Sequence, residues 1–243
     1  MSAKAVLRFE GIHKAFGGLQ VLQDVDFTVD HGEIVGLIGP NGAGKSTCFN
    51  VMTSIYRPDQ GEVRLAGQRI DGMRPDHICR RGGVARTFQL VRTFQRMTAL
   101  QNVMVGAVYG RNVRTKPAEQ VARDAIALVG LADQSARQAA HMTLSDRRLL
   151  EIARALCGDP VLLLLDEPAA GLRHKEKQDL IRVLRQLQRE GMSILLVEHD
   201  MDLVMDISDR IVVMAFGTRL IEGTPEEIQA SPAVRAAYLG TEH

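Results

Sequence analysis

A glycine-rich segment near the start of the chain constrains the fold more than any other feature. It reads Gly39-Pro40-Asn41-Gly42-Ala43-Gly44-Lys45-Ser46 and follows a short apolar run at residues 33–38. The run predicts a buried strand, and the residues after Lys45 predict a helix to about Thr53. A glycine-rich turn between a strand and a helix directs successive backbone N–H groups at one point. The segment therefore predicts a polyphosphate-binding loop, with a chance glycine-rich turn as the weaker alternative.

The side chains at the end of this segment fit the same chemistry. A lysine in this position reaches the β- and γ-phosphates of a nucleotide, and the hydroxyl that follows it ligates Mg²⁺. We therefore expect Lys45 to contact the phosphates and Ser46 to contact the metal ion. The candidate nucleotide-binding residues are Gly39, Pro40, Asn41, Gly42, Ala43, Gly44, Lys45, Ser46 and Thr47.

Composition and charge exclude several classes of protein. The 243 residues are 45% hydrophobic and 24% charged, as expected for a soluble protein with one sizeable core. The longest aliphatic run, at 161–165, is far too short to span a bilayer, and the N-terminus lacks the apolar centre of a signal peptide. Three widely spaced cysteines without a metal-binding pattern suggest a reducing compartment. These features predict a cytoplasmic protein.

Positive charge is concentrated in one part of the chain. Residues 77–118 contain eight Lys or Arg and no Asp or Glu, although the net charge of the whole chain is +1. Such a run is usually a solvated face, and it also suits contact with acidic loops or anionic lipid headgroups. Because only 4% of the residues are aromatic and no reading helix is evident, we expect no nucleic-acid partner.

Hydrophobic periodicity predicts an α/β fold. Residues 5–30 and 61–66 alternate as the strands of a small antiparallel sheet do. Continuous apolar runs at 161–165 and 194–197 predict strands that are buried on both faces of a parallel sheet. The pattern is helical from about 97 to 157 and again at 176–189, where Leu180, Val183, Leu184 and Leu187 share one face. Residues 211–215 and 219–222 predict a hairpin across Gly217.

Two adjacent carboxylates follow the apolar run at 161–165. This strand would deliver Asp166 and Glu167 to the carboxyl edge of a parallel sheet, which is where ligands bind in α/β folds. We expect Asp166 to hold Mg²⁺ through water and Glu167 to polarise the water that attacks the γ-phosphate. The alternative is a strand that simply ends in two solvated acids.

With these motifs in this order, the chain resembles the ATP-binding subunits of ABC transporters over almost its whole length. The resemblance implies ATP and Mg²⁺ as ligands and ATP hydrolysis coupled to transport. It also implies a P-loop NTPase (RecA-like) core with an antiparallel β subdomain, formed by residues 1–90 and 158–243, and an inserted helical subdomain at 91–157.

The resemblance assigns further site residues. Gln89, in Ala85-Arg86-Thr87-Phe88-Gln89, resembles the glutamine that contacts Mg²⁺ and the attacking water. His199 resembles the switch histidine that contacts the γ-phosphate, and residues 170–172 resemble the loop that communicates between two ATP sites. Phe16 resembles the aromatic residue that stacks on adenine, although packing in the core is equally compatible with the sequence.

The signature of the family, Leu-Ser-Gly-Gly-Gln, is altered in this chain. An ungapped register from the Ile-Ala-Arg-Ala-Leu string at 152–156 aligns the signature with residues 142–146, whereas a shift of two residues would rotate the helix by about 200°. Thr143 then keeps the hydroxyl that would bond a γ-phosphate oxygen, and Ser145 adds a Cβ close to the phosphate. Asp146 can cap the next helix but adds negative charge. We expect a functional but weakened signature and a slow site.

Short sequence segments narrow the resemblance to the ATPases of branched-chain amino acid importers. The similar phrases lie at residues 85–89, 151–156, 166–171, 197–202 and 222–227. The resemblance implies a peripheral location on the inner face of the membrane, a second ATPase subunit in a homo- or heterodimer, and indirect work with a solute-binding protein. The alternatives are an ATPase of another ABC system with a different solute or with export, a soluble ABC protein outside transport, and a nucleotide-binding module without hydrolysis.

The resemblance also implies that permease subunits dock near residues 90–100. Phe94 and Met97, flanked by Arg92 and Arg96, suit a groove that receives a short helix of the membrane subunit. The alternative is that both apolar side chains pack inside the helical subdomain.

Overall fold

The computed structural model describes residues 5–80, 83–87, 89–110 and 117–239. The strands of these residues are β1 (Ala5–Phe16), β2 (Leu19–Asp30), β3 (Ile34–Ile38), β4 (Gln60–Leu65), β5 (Gln68–Arg69), β6 (Val84–Arg86), β7 (Leu162–Asp166), β8 (Ser193–Val197), β9 (Arg210–Ala215) and β10 (Thr218–Gly223). Their α-helices are α1 (Lys45–Met52), α2 (Pro75–Arg80), α3 (Ala99–Tyr109), α4 (Ala118–Leu128), α5 (Leu144–Leu156), α6 (His174–Arg189), α7 (Met201–Ile207), α8 (Pro225–Ala230) and α9 (Pro232–Leu239). Short 3₁₀ turns occupy Ala132–Gln134 and Ala139–His141.

The chain divides into two compact units, the first containing 5–75 and 188–239 and the second containing 76–187. The functional division with boundaries at residues 90 and 158 stays a prediction. No helix within the described ranges is both long and apolar enough to cross a membrane. Four residues of the basic run lie outside the described residues, namely Arg81, Arg111, Arg114 and Lys116.

The first unit contains the predicted antiparallel sheet, in the order β2-β1-β4-β5. Four residues of β1 are buried, namely Val6, Leu7, Phe9 and Ile12, and Phe9 packs on Phe27 of β2 with 5.0 Å between the ring centroids. The glycine pair at 17–18 connects the two long strands.

A second set of strands in this unit positions the glycine-rich loop. Its order is β10-β9-β3-β8, with β3 parallel to both β8 and β9, and β10 antiparallel to β9. All five residues of β3 are buried, as expected for a strand that is covered on both faces. Leu37 of β3 lies opposite Val197 of β8. The segments that follow these two strands therefore leave the sheet at the same edge.

The second unit combines one parallel strand pair with packed helices. β6 and β7 pair in parallel, with Arg86 opposite Leu164. Helix α3 packs closely on α5. The close approach depends on Gly106, since a Cβ added there would lie 2.2 Å from the Arg154 carbonyl oxygen. Helix α6 buries Leu180, Leu184 and Leu187 as its spacing predicts, whereas Val183 is only half-buried.

A buried amide fixes the loop that precedes α3. The Asn102 side chain is fully buried, and its Oδ1 accepts a hydrogen bond from the Phe94 N–H at 2.7 Å. Its Nδ2 donates to the carbonyl oxygens of Phe94, Met97 and Thr98 at 3.1, 3.3 and 3.0 Å. One side chain thus supplies an acceptor to the Phe94 N–H and a second donor to three carbonyls that also accept backbone N–H groups.

Replacement of Asn102 by Ala is expected to lower the free energy of unfolding by about 2–3 kcal/mol, because the Phe94 N–H loses its acceptor and three carbonyls lose their second hydrogen bond. The urea midpoint measures the change. Gln120→Ala serves as the control, since this exposed amide bonds only Asp124 among the contacts resolved for its side chain, and it is expected to cost no more than about 0.5 kcal/mol. Equal midpoints for the two variants would contradict the role of Asn102.

Candidate functional site

The glycine-rich loop connects β3 to α1 in a geometry that only glycine permits at its first position. Gly39 has φ +150°, and a Cβ placed there would lie 2.2 Å from the Met214 carbonyl oxygen. Gly44, with φ +100°, is the N-cap of α1, and because it has no side chain it forms no capping hydrogen bond with the first turn. The first N–H groups of α1 lack carbonyl partners within the helix and are available to an anion.

Lys45 is folded back onto the loop in this structure. Its side chain is buried, and Nζ donates to the carbonyl oxygens of Gly39 at 2.7 Å and Pro40 at 3.0 Å. Both acceptors are neutral, so a phosphate anion attracts the ammonium group more strongly than they do. Ser46 is exposed at the start of α1, and Thr47 is half-buried beside it.

His199 follows β8 at the sheet edge from which the glycine-rich loop also leaves. Its side chain is exposed, while its backbone N–H donates to the carboxylate of the preceding Glu198 at 3.1 Å. Glu198 itself is buried, and Asp200 caps α7 by accepting from the Leu203 N–H at 3.1 Å. The histidine is thus held between a buried acid and a helix cap.

Phe16 lies at the surface of the first unit and is not part of the core. Its ring is 41% exposed and packs edge-on against Tyr56, with 5.0 Å between the centroids. The Lys14 ammonium lies 5.3 Å from the Phe16 centroid. The core-packing alternative for Phe16 is therefore wrong, and a flat aromatic surface is available to a planar ring.

In the second unit, the structure brings Gln89 and Glu167 together. Glu167 follows β7, and its Oε2 accepts a hydrogen bond from Gln89 Nε2 at 2.8 Å. The backbone of Glu167 has φ +47°, a left-handed conformation that is strained for a residue with a Cβ. Its neighbour Asp166 forms an ion pair with Arg86, with 2.9 Å between Oδ2 and the guanidinium.

The residues predicted to hold Mg²⁺ offer oxygen donors of the kind that this ion prefers. These are the exposed Ser46 hydroxyl, the Asp166 carboxylate and the side-chain oxygen of Gln89, whose Nε2 is the atom that bonds Glu167. Across the described ranges, no three His, Cys, Asp or Glu side chains cluster in a way that could hold a metal. Oxygen ligands supplied together with substrate phosphates are usual for Mg²⁺, and within the second unit Asp166 and Gln89 offer such oxygens.

The altered signature forms the start of α5. Thr143 is the N-cap, and its hydroxyl oxygen accepts from the Asp146 N–H at 3.1 Å, while the Asp146 carboxylate accepts from the Thr143 N–H at 3.4 Å. Asp146 therefore caps the helix in a reciprocal capping box. Ser145 is buried in the first turn and lines a cavity of about 380 Å³. Helix α5 continues without interruption to Leu156, as the ungapped register requires.

Arg148 is a contact residue that sequence reasoning missed. Its side chain is buried, and its guanidinium donates to the Gln89 carbonyl at 2.8 Å and to the Ala170 carbonyl at 3.2 Å. The available signal was its spacing, because Arg148 lies one helical turn before the buried Ile152 and so shares its inward face.

Two further side chains of α5 hold the segment that follows Gln89. Glu151 Oε1 accepts from the Arg92 N–H at 2.5 Å, and Arg154 donates to the Arg92 carbonyl at 3.0 Å. Burial raises the pKa of Glu151, and the nearby Arg154 opposes that rise. Arg154 also lies over the Phe94 ring, 5.7 Å from its centroid. Side chains of helix α5 therefore form hydrogen bonds with both the N–H and the carbonyl of Arg92.

Several known proteins are similar to this chain in sequence and in fold. LivG of Escherichia coli, described as a high-affinity branched-chain amino acid transport ATP-binding protein, is 42% identical over 253 residues, covering 98% of this chain and 99% of LivG. BraF of Pseudomonas aeruginosa, which has the same description, is 41% identical with the same coverage. The crystal structure of an ATP-binding cassette of an ABC transporter in its ADP conformation is 29% identical, with a TM-score of 0.89 over 98% of this chain and 99% of that chain.

Family models agree with these similarities. The ABC transporter model matches residues 22–170, which is more than half of the chain. The model of the branched-chain amino acid ATP-binding cassette transporter matches residues 222–243. The chain therefore belongs to the ATP-binding proteins of ABC transporters, as a nucleotide-binding ATPase that hydrolyses ATP for transport.

Proposed function

We propose that this chain is the ATPase subunit of an importer of branched-chain or related amino acids. The solute is inferred from the similarity to LivG and BraF and from the match of residues 222–243. The catalytic proposal depends above all on one observation, the 2.8 Å hydrogen bond between Gln89 and Glu167 at the ends of neighbouring parallel strands.

Each candidate residue has a separate role in the proposed reaction. The backbone from Gly39 to Gly44, together with Lys45 and Thr47, binds the ATP phosphates, and Ser46 and Asp166 hold Mg²⁺. When bound, Mg²⁺ neutralises charge that develops on the phosphates. Glu167 accepts the proton of the attacking water and Gln89 orients it, while His199 donates a hydrogen bond to the γ-phosphate. Phe16 stacks on the adenine ring.

Glu167→Gln is expected to lower kcat for ATP hydrolysis by about 10²–10⁴-fold while nucleotide binding is retained, because a general base is lost without loss of volume. Phosphate release and a nucleotide-binding titration measure the two effects. Glu119→Gln, on the exposed surface of α4, is the matched control and is expected to keep wild-type turnover. Near-normal turnover of Glu167→Gln would remove Glu167 from the proposed role.

We propose that a second ATPase subunit completes the ATP site. In the proposed dimer, the signature of this chain contacts the ATP that is held by the partner's phosphate loop. Thr143 is exposed and offers its hydroxyl, whereas Ser145 carries its side chain into the helix packing of its own unit. We propose that this altered signature makes the shared site slow, in a homodimer or a heterodimer.

Restoring the common residues with Thr143→Ser and Ser145→Gly is expected to raise turnover of the assembled transporter several-fold. A glycine within the first turn of α5 costs helix stability of about 0.5–1 kcal/mol, so the thermal midpoint is measured in parallel. Thr143→Ser alone is the control, because it keeps the cap and leaves Ser145 in place. An unchanged rate in a folded double variant would rule out the slow-site proposal.

An exposed apolar surface in the second unit supports the proposed docking of permease subunits near residues 90–100. Phe94 is 46% exposed and Met97 is 38% exposed, so neither side chain is packed in a core. A groove of about 350 Å³ lies beside them, and it is lined by Met97, Gln101, Met104, Val105, Val108 and Tyr109. Its apolar lining and length along α3 suit a short amphipathic helix of the membrane subunit.

Phe94→Ala combined with Met97→Ala is expected to abolish solute transport while ATP hydrolysis by the isolated subunit continues, because the docking surface loses its apolar side chains. Solute uptake into proteoliposomes and phosphate release measure the two activities. Leu19→Ala is the control, since this residue is 71% exposed on the first unit. Unfolding of the double variant, or normal transport, would contradict the docking role.

We also propose that the protein works on the cytoplasmic face of the membrane, next to permease subunits. A solute-binding protein would deliver the solute to these permease subunits. The competing candidates are an ATPase of another ABC system and a soluble ABC protein outside transport. Co-purification with a membrane subunit separates transport from the soluble class. The solute that stimulates ATP hydrolysis by the assembled complex identifies the system.

A further inference from the structure

Helix α5 carries a buried cation that bridges two segments far away in sequence. Arg148 is 7% exposed, and its two terminal nitrogens contact different backbone carbonyls. One donates to Gln89 at 2.8 Å across 59 residues of sequence, and the other donates to Ala170 at 3.2 Å across 22 residues. All three residues belong to the second unit.

These two carbonyls belong to the segments that carry the proposed catalytic pair. The Ala170 N–H donates to the Glu167 carbonyl at 3.2 Å, which closes a turn directly after Glu167. The Gln89 side chain reaches Glu167 Oε2 at 2.8 Å. The contacts therefore form a closed ring, in which Arg148 holds one side and the Gln89–Glu167 hydrogen bond forms the other.

An arginine is suited to this position and a lysine is not. The planar guanidinium presents several N–H donors in a fixed fork, so two carbonyls bound by one fork are held at a fixed separation. Gln89 is an exposed residue with a long, flexible side chain, so the position of its backbone decides whether that side chain can reach Glu167. Burial of a cation is costly, and the buried Glu151 on the next turn of α5 supplies negative charge beside Arg148.

We propose that Arg148 is a positioning residue for ATP hydrolysis, which holds the backbone of Gln89 so that its side chain meets Glu167. The inference rests on the proposed roles of Gln89 and Glu167. Arg148 acts through Gln89, while its bond to Ala170 anchors the guanidinium on the segment of Glu167. Loss of Arg148 therefore affects the chemical step and leaves nucleotide binding to the phosphate loop.

Arg148→Lys and Arg148→Met test this role in the full-length protein with MgATP. Both are expected to lower kcat by about 10- to 100-fold, the scale for a small misplacement of a catalytic group, with KM for ATP unchanged within about twofold. Arg123→Met on α4 is the control, since this half-exposed arginine pairs only with Glu119 among the contacts resolved for its side chain. A variant that loses kcat and raises KM together with a lowered thermal midpoint has lost structure, which would overturn the positioning role.

A double-mutant cycle separates positioning from a general effect. In the Gln89→Ala background, Arg148→Lys is expected to change kcat by less than about threefold, because the side chain that it positions is absent. Additive losses of kcat in the double variant would overturn the inference. Wild-type kcat in Arg148→Lys would also overturn it. If Arg148→Met fails to fold, Arg148→Lys alone provides the test. Glu167→Gln is measured alongside. Normal kcat in Glu167→Gln contradicts the proposed function itself. A lowered kcat in Glu167→Gln together with a normal kcat in Arg148→Lys contradicts only the positioning role.

Discussion

Parallel pairing of short buried strands decides where the candidate chemical groups lie. In the first unit, the pairing of β3 with β8 brings the glycine-rich loop and His199 to one sheet edge. In the second unit, the pairing of β6 with β7 does the same for Gln89 and Glu167 and for the Arg86–Asp166 ion pair. The strands are mostly apolar because both of their faces are covered, so the polar groups lie at the last residue of a strand or in the residues that follow it.

The loop between β6 and α3 shows how a segment without regular structure is held in place. The carbonyls of Gln95 and Met97 accept hydrogen bonds from the backbone N–H groups of Ala140 and Ala139, and other buried backbone groups of the loop need partners elsewhere. Side chains supply them, from Asn102 on α3 and from Arg148, Glu151 and Arg154 on α5. The three residues of α5 are spaced three apart and so share one face of the helix. The glutamine proposed to be catalytic and an exposed apolar surface are thereby attached to the same helix.

Local patterns in the sequence predicted most of the fold. The strand, loop and helix around Lys45, the antiparallel sheet and the hairpin across Gly217 all follow from periodicity and turn residues, and the structure confirms them. Patterns failed where the decisive contact is distant in sequence. Arg86 meets Asp166 across 80 residues, and Arg148 meets Gln89 across 59, distances at which spacing carries no information. The exposure of Phe16 was likewise undecided, because an aromatic residue at a strand end suits a core and a surface equally well.

The capping box at the start of α5 sets which hydrogen bonds the Thr143 hydroxyl can still make. The Thr143 oxygen accepts from the Asp146 N–H, so a lone pair is used and the hydroxyl hydrogen stays available to donate. The Asp146 carboxylate is turned back toward the Thr143 N–H, which places its charge on the helix side of the threonine. Asp146, whose charge we propose weakens the signature, thus also donates its N–H to the threonine oxygen, and the altered sequence retains a hydroxyl that can donate.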